Sequence, residues 1–145
     1  MIDVQVDADD EGAPPLASDL IASLVTGALQ VGGLEAGLVR VIFSSDEHLR
    51  QLQRQFFDRD QYTDVIAFHL NDRGEPLDGE IYISTERALE NSRRYRQTHQ
   101  QELMRLVVHG SLHLIGFNDA TDDAQAQMRV EEDRVLARAA TSAST

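Results

Sequence analysis

The chain has 145 residues, 41% hydrophobic and 26% charged, a length and balance that suit one domain with its own core. It has no cysteine, which excludes a disulfide framework and a thiolate zinc site, so any metal must rest on the five histidines and on carboxylates. No apolar run approaches the roughly 18 residues of a membrane span, and residues 1–15 lack the basic start and apolar stretch of a secretory signal. Membrane insertion and export are therefore not expected, and the expected location is the cytoplasm.

The 25 acids outnumber the 13 cations, for a formal charge of −12, and every cation is arginine. Two origins fit a lysine-free, acidic chain: adaptation to concentrated salt, where screening reduces self-repulsion, and a codon bias toward arginine. An acidic chain gains little from phosphate backbones overall. The charge is unevenly spread, however. Residues 1–39 carry seven acids and no base, whereas Arg87 to Arg105 holds five arginines against Glu90 and Glu102, and Arg50, Arg54 and Arg59 cluster around Asp58. Such islands grip phosphates through bidentate guanidinium contacts.

In chain order, Ile2, Val4 and Val6 alternate with polar residues as in a half-buried strand. Pro14 and Pro15 end it. Leu16, Leu20, Leu24 and Ala28, with Ile21, Val25 and Leu29, repeat at helical spacing; Ser18 is the expected cap, and Gly32 and Gly33 stop the helix. Residues 38–43 read as a buried strand. Ser45, Asp46 and Glu47 open a second helix whose inner face is expected to be Leu49, Leu52 and Phe56. Residues 64–70 and 80–84 read as strands joined in a hairpin through NDRGEP, and Thr85 is placed to cap the next helix. Thr98 and Gln101 form a capping-box signature before LMRLVVHGSLHLI, which is apolar nearly all round and so central. Gly116 ends that helix. A last amphipathic helix spans about Asp122 to Arg138, with Ala124, Met128, Val135 and Leu136 inward. The fold class expected is α+β (an α/β layer structure): a small mixed four-stranded sheet covered by about five helices, formed by a single domain over residues 1–140 with a disordered tail at 141–145.

The informative stretch is HGSLHLIGFND, residues 109–119. His109 and His113, four apart on a helix, project from one face and can share a metal ion. Gly116 permits the positive φ that turns the chain back, and Asp119 then arrives as a third ligand. Two imidazoles and a carboxylate leave a coordination position for water, the arrangement of a catalytic site. The spacing matches the extended zinc-protease pattern, except that Gly110 stands where that pattern has its glutamate base; peptide hydrolysis is not expected on that ground. Glu102 lies two turns before His109, too far to ligate, and is expected to pair with a neighbouring arginine.

This string, followed by an acidic helix with Gln127, Met128 and glutamate, resembles the YbeY family of bacterial endoribonucleases, whose signature runs His-Gly-x-Leu-His-Leu-x-Gly-Tyr-Asp-His. TDVIAF (63–68) and DGEIYIS (78–84) are similar to the family's Thr-Asp-Val-Leu-Ser-Phe and Leu-Gly-Asp-Ile segments, so the resemblance runs over roughly residues 38–136. It implies a zinc enzyme that cuts single-stranded RNA, matures small-subunit ribosomal RNA, and acts in ribosome quality control, with rRNA and the small ribosomal subunit as partners. Asp119 stands at the family's third histidine and Asn118 at the preceding aspartate. Phe57 stands where the family carries an arginine thought to contact phosphate, Ala67 replaces its serine, and His69 its proline. Arg59 is then the candidate catalytic arginine, stabilising charge on a phosphate activated by the ion, and Arg54, Arg87 and Arg94 are candidates for gripping the backbone. The attacking group is water on the ion or the RNA's own ribose hydroxyl. Two rivals are a metal hydrolase of another substrate and a ribosome-associated metal-binding module with weak or no catalysis.

Overall fold

The computed structural model describes residues 1–9 and 14–143. Its elements are β1 (Ile2–Ala8), α1 (Ser18–Val31), β2 (Gly37–Ser44), α2 (Asp46–Phe57), β3 (Val65–His69), β4 (Leu77–Ser84), α3 (Thr85–Arg94), α4 (His99–Leu114) and α5 (Asp122–Ala143). The strands form one mixed sheet in the order β1-β2-β4-β3. β1, β2 and β4 run parallel, while β3 returns antiparallel to β4 as the expected hairpin. This is the expected α+β layer structure.

Strand alternation sorts the side chains by face. Val39, Val41, Phe43, Ile81 and Ile83 point to one side and are buried there with Ile21, Leu24 and Leu29 of α1, Leu103, Val107 and Leu112 of α4, and Met128 and Val135 of α5. The other side, bearing Phe68 and Tyr82, meets α2 through ring contacts of Phe56 and His48. The central place expected for α4 follows from its burial: Leu103, Leu106, Val107, Val108, Leu112 and Leu114 are all in the core.

Local signals act as read in some places and one residue off in others. Thr98 and Gln101 close a reciprocal capping box at the start of α4, and Ser45 caps α2 by accepting from the His48 amide. Ser18 is the first residue of α1 rather than its cap; the cap is Ala17, with no side-chain bond. Thr85 is likewise inside α3, because Ser84 at the end of β4 accepts from the Arg87 amide. Phe56 is not an inner residue. It is 57% exposed, and Leu49 is the buried anchor of α2. α5 continues to Ala143, past the expected end near Arg138 and into the stretch expected as a tail, of which residues 144 and 145 lie outside the described residues.

Candidate metal centre

The geometry begins with two glycines. A Cβ on Gly110 would meet Ile81 Cγ2 at 2.6 Å and Val65 Cγ2 at 3.3 Å, and one on Gly79 would meet Leu114 Cδ1 at 2.8 Å. α4 therefore lies directly on β3 and β4, closer than any side chain at 110 allows, and this explains why no glutamate base stands there. With Gly110 against the sheet, His109 and His113 emerge together at the edge of the helix, their Nε2 atoms 3.1 Å apart.

Each ring is oriented from behind. His109 Nδ1 lies 2.7 Å from Glu132 Oε2; since a carboxylate only accepts, Nδ1 carries the proton and Nε2 presents its lone pair. Glu132, on α5, has a side chain only 7% exposed, and its other oxygen accepts from Arg105 Nη1 at 2.9 Å. Arg105 also binds Asp133. The single charge of Arg105 is thus shared between Glu132 and Asp133. Burial lowers the proton affinity of His109, but the hydrogen bond and charge of Glu132, with Asp119 and Asp64, outweigh it and leave the pKa above the usual imidazole value. Burial and the adjacent His109 push His113 below it, against an opposing hydrogen bond with the Phe117 main chain.

The loop after α4 supplies the third group. Gly116, at φ +102, makes the turn that only glycine adopts without strain. Asn118 accepts from the Ala120 amide, Gln125 donates to the Asp119 carbonyl, and Thr121 caps α5 through the Ala124 amide. Asp119 Oδ2 comes to 3.7 Å from His109 Nε2, and ligand atoms of His109, His113 and Asp119 all lie within 4.8 Å of one another. Tetrahedral ligands at about 2.0–2.1 Å from an ion stand about 3.3 Å apart, so this donor set fits a divalent cation. At 3.1 Å the two Nε2 atoms can share one proton or, when both lone pairs are open, one ion.

His113 also lines an open groove of about 410 Å³ with Gln53, Phe57, Arg59, Val65, Ile66, Ala67 and His69. Arg59 is thus beside a candidate ligand, and it forms no ion pair among the described residues. Asp58 ends α2 in a left-handed conformation and so turns Arg59 back toward the helix, where its amide bonds the Gln53 carbonyl. The other arginines are placed differently. Arg54 is held with Arg50 on Asp60. Arg87 clasps Asp46 at 2.7 Å and lies over the Tyr62 ring, joining α3 to the start of α2. Arg94, in the last turn of α3, has no ion pair among the described residues. His69 is drawn into the groove by donating Nε2–H to the Leu114 carbonyl at 2.7 Å.

Glu102 is buried but forms no ion pair among the described residues, contrary to expectation, because Arg105 turns to α5. Burial first, and then Asp64, raise its pKa. Glu132 and Arg105 are the side chains behind the candidate site that spacing alone missed. A signal existed: Met128, Glu132 and Val135 share one helical face, and a carboxylate between two core residues requires a partner.

The sequence profile of a family described as "Endoribonuclease YbeY" matches residues 9–140. The chain belongs to the YbeY endoribonuclease family. It is 41% identical over 101 residues to the "Endoribonuclease YbeY" of Christiangramia forsetii, covering 70% of each chain. It is 34% identical over 119 residues to that of Chlorobaculum tepidum, covering 82% of this chain and 86% of the relative. Its fold is similar to a Thermotoga maritima protein solved in solution, with TM-score 0.63 and 25% identity, covering 94% of this chain and 88% of the other. No helix among the described residues is long and apolar enough to cross a membrane.

Proposed function

We propose that this YbeY-family chain is a zinc-dependent endoribonuclease that cuts single-stranded RNA during maturation of small-subunit rRNA and in ribosome quality control, acting in the cytoplasm with the small ribosomal subunit as partner. The observation that carries the reading is the convergence of His109, His113 and Asp119 at a groove that also holds Arg59. A divalent cation held by these three would polarise a phosphoryl oxygen and lower the pKa of a water molecule. A set of two imidazoles and one carboxylate suits zinc.

The protein's own groups do the positioning. Glu132 fixes the His109 tautomer, and Arg105 pairs with that carboxylate from its other side. Arg59 neutralises charge that grows on the phosphate oxygens as the bond to the leaving oxygen breaks. Arg94, with no ion pair among the described residues, is available to hold the RNA backbone, whereas Arg54 and Arg87 must exchange carboxylates for phosphates to do so. The acid at position 119 adds negative charge that a third imidazole would not, which weakens the centre as a Lewis acid. That feature, with Phe57 in place of the family's arginine, favours the second reading, a ribosome-associated module with little catalysis.

The deciding experiment combines elemental analysis with cleavage of single-stranded RNA. Wild type should hold zinc stoichiometrically and cut, and Asp119→Ala should lose both. Full metal occupancy in Asp119→Ala removes the third ligand. Ribosome binding without cleavage by the wild type selects the module, and hydrolysis confined to small esters selects another substrate.

A further inference from the structure

The groove beside His113 carries two features that no ion requires. The first is Phe57. Its ring stacks on Phe68 with centroids 5.7 Å apart and planes 16° from parallel, while Phe56 holds Phe68 edge-on at 5.2 Å. One face of Phe57 is thus supported from behind, yet the residue is 46% exposed and lines the groove. A half-exposed aromatic, stacked from behind and lining the same groove as Arg59, is the arrangement on which an unpaired base stacks.

The second feature is the free edge of β3. The Ser84 amide bonds the Asp64 carbonyl and the Leu70 amide bonds the Asp78 carbonyl, with Ala67 opposite Ile81 in the register. Hydrogen-bonded and non-bonded pairs alternate in an antiparallel ladder. Asp64, Ile66, Phe68 and Leu70 therefore direct their main-chain groups to β4, and Val65, Ala67 and His69 direct theirs outward, at the edge of the sheet. Thr63 donates to the Val65 carbonyl, and the groups of Ala67 and His69 remain as donors and acceptors along the groove.

We propose that Phe57 is the base platform of the site: an unpaired nucleobase of the RNA stacks on its open face, its edge meeting the Ala67 and His69 main chain, with its phosphate toward Arg59 and His113. This rests on the nuclease reading and deepens it. The platform replaces a phosphate contact by a base contact, which a duplex cannot satisfy because its bases are already stacked and paired. An extended peptide added to β3 would use the same edge but would find only five residues of strand and would leave the ring and Arg59 without a role.

The test measures binding of a fluorescent, 2′-O-methylated single-stranded oligonucleotide to zinc-loaded protein. Phe57→Ala should raise Kd by roughly 5- to 150-fold, the worth of one base–aromatic stack, and Phe57→Leu, which keeps the apolar packing on Phe68, should lose as much. Phe57→Trp should keep wild-type affinity. Replacing one nucleotide by an abasic residue should cost the wild type at least as much, since it also removes the edge contacts to Ala67 and His69, and should cost Phe57→Ala less than it costs the wild type, because the stack is already gone there. With a cleavable RNA, KM should rise while kcat and zinc content hold. Unchanged affinity in both Phe57→Ala and Phe57→Leu overturns the proposal, as do abasic penalties that simply add. A wild type that shows the Phe57-dependent binding without cutting RNA overturns the nuclease reading and leaves this one standing.

Discussion

Two histidines of this protein place Nδ1 at 2.7 Å from a carboxylate, His48 from Asp9 and His109 from Glu132, and the two regions differ in everything else. His48 Nδ1 also faces Ser44 Oγ, and Ser44 Oγ donates to Asp9, so three groups close on one another where β1 and β2 end and α2 begins. The His48 ring leans edge-on against Tyr82. Among the described residues, no group of metal ligands forms at its far nitrogen. At His109 the carboxylate is buried, paired with Arg105, and sits behind the ring, while the far nitrogen meets a second imidazole. A histidine–carboxylate bond alone is a clasp. It becomes the back half of a binding centre when the opposite ring nitrogens converge.

That contrast can be broken by substitution. The largest effect should come from His109→Ala, which abolishes stoichiometric zinc by elemental analysis, whereas His48→Ala leaves it intact; equal metal in the two variants would erase the distinction. Next, Glu132→Gln should weaken zinc by roughly 10- to 100-fold in a chelator competition, the usual worth of a group that orients a ligand. Asp9→Asn should leave metal affinity unchanged and show only a modest loss of stability, about 1 kcal/mol.

The third prediction tests what brings α4 onto the sheet. Gly110→Ala should destabilise the fold by about 1–3 kcal/mol in denaturant unfolding, since Ile81 and Val65 must give way to a Cβ. The smallest effect concerns Glu102. Its folded pKa lies above that of an unfolded glutamate, so as pH rises through about 4.3 the unfolded chain releases this proton first and stability falls until the folded group has also ionised. Glu102→Gln should therefore be more stable than wild type at neutral pH and lose the advantage in acid. A gap that does not close in acid would show that the carboxyl charge is not its cause.

Much of the centre was legible because its signals are local. Spacing alone puts His109 and His113 on one face, and Gly116 announces the turn that returns Asp119. The capping box at Thr98 and Gln101 is likewise a matter of four consecutive residues. Long-range choices were not legible. Whether Arg105 would pair with Glu102 on its own helix or Glu132 on another depends on how α5 packs, which no spacing encodes. Ser18 and Thr85 both look like caps, yet each is already the first residue of its helix: β4 runs straight into α3 with Ser84 as the cap, and α1 is entered from Ala17. Phe56 fits an inward helical stripe, but Phe68 and the end of α2 leave it at the surface, where its ring helps to hold Phe68 in place.

The three donors differ in how firmly they are mounted. Two stand on a buried helix, while Asp119 is 54% exposed on a loop fastened by a few polar bonds. An ion bound by all three would tie that loop to α4, and at a hundredfold excess over its dissociation constant it would raise folding stability by about 2.7 kcal/mol. A melting curve recorded with and without zinc would then report binding with no RNA in the tube. Dissociation would begin from the loop side, making the lifetime of the holoprotein a property of residues 116–121 rather than of the core.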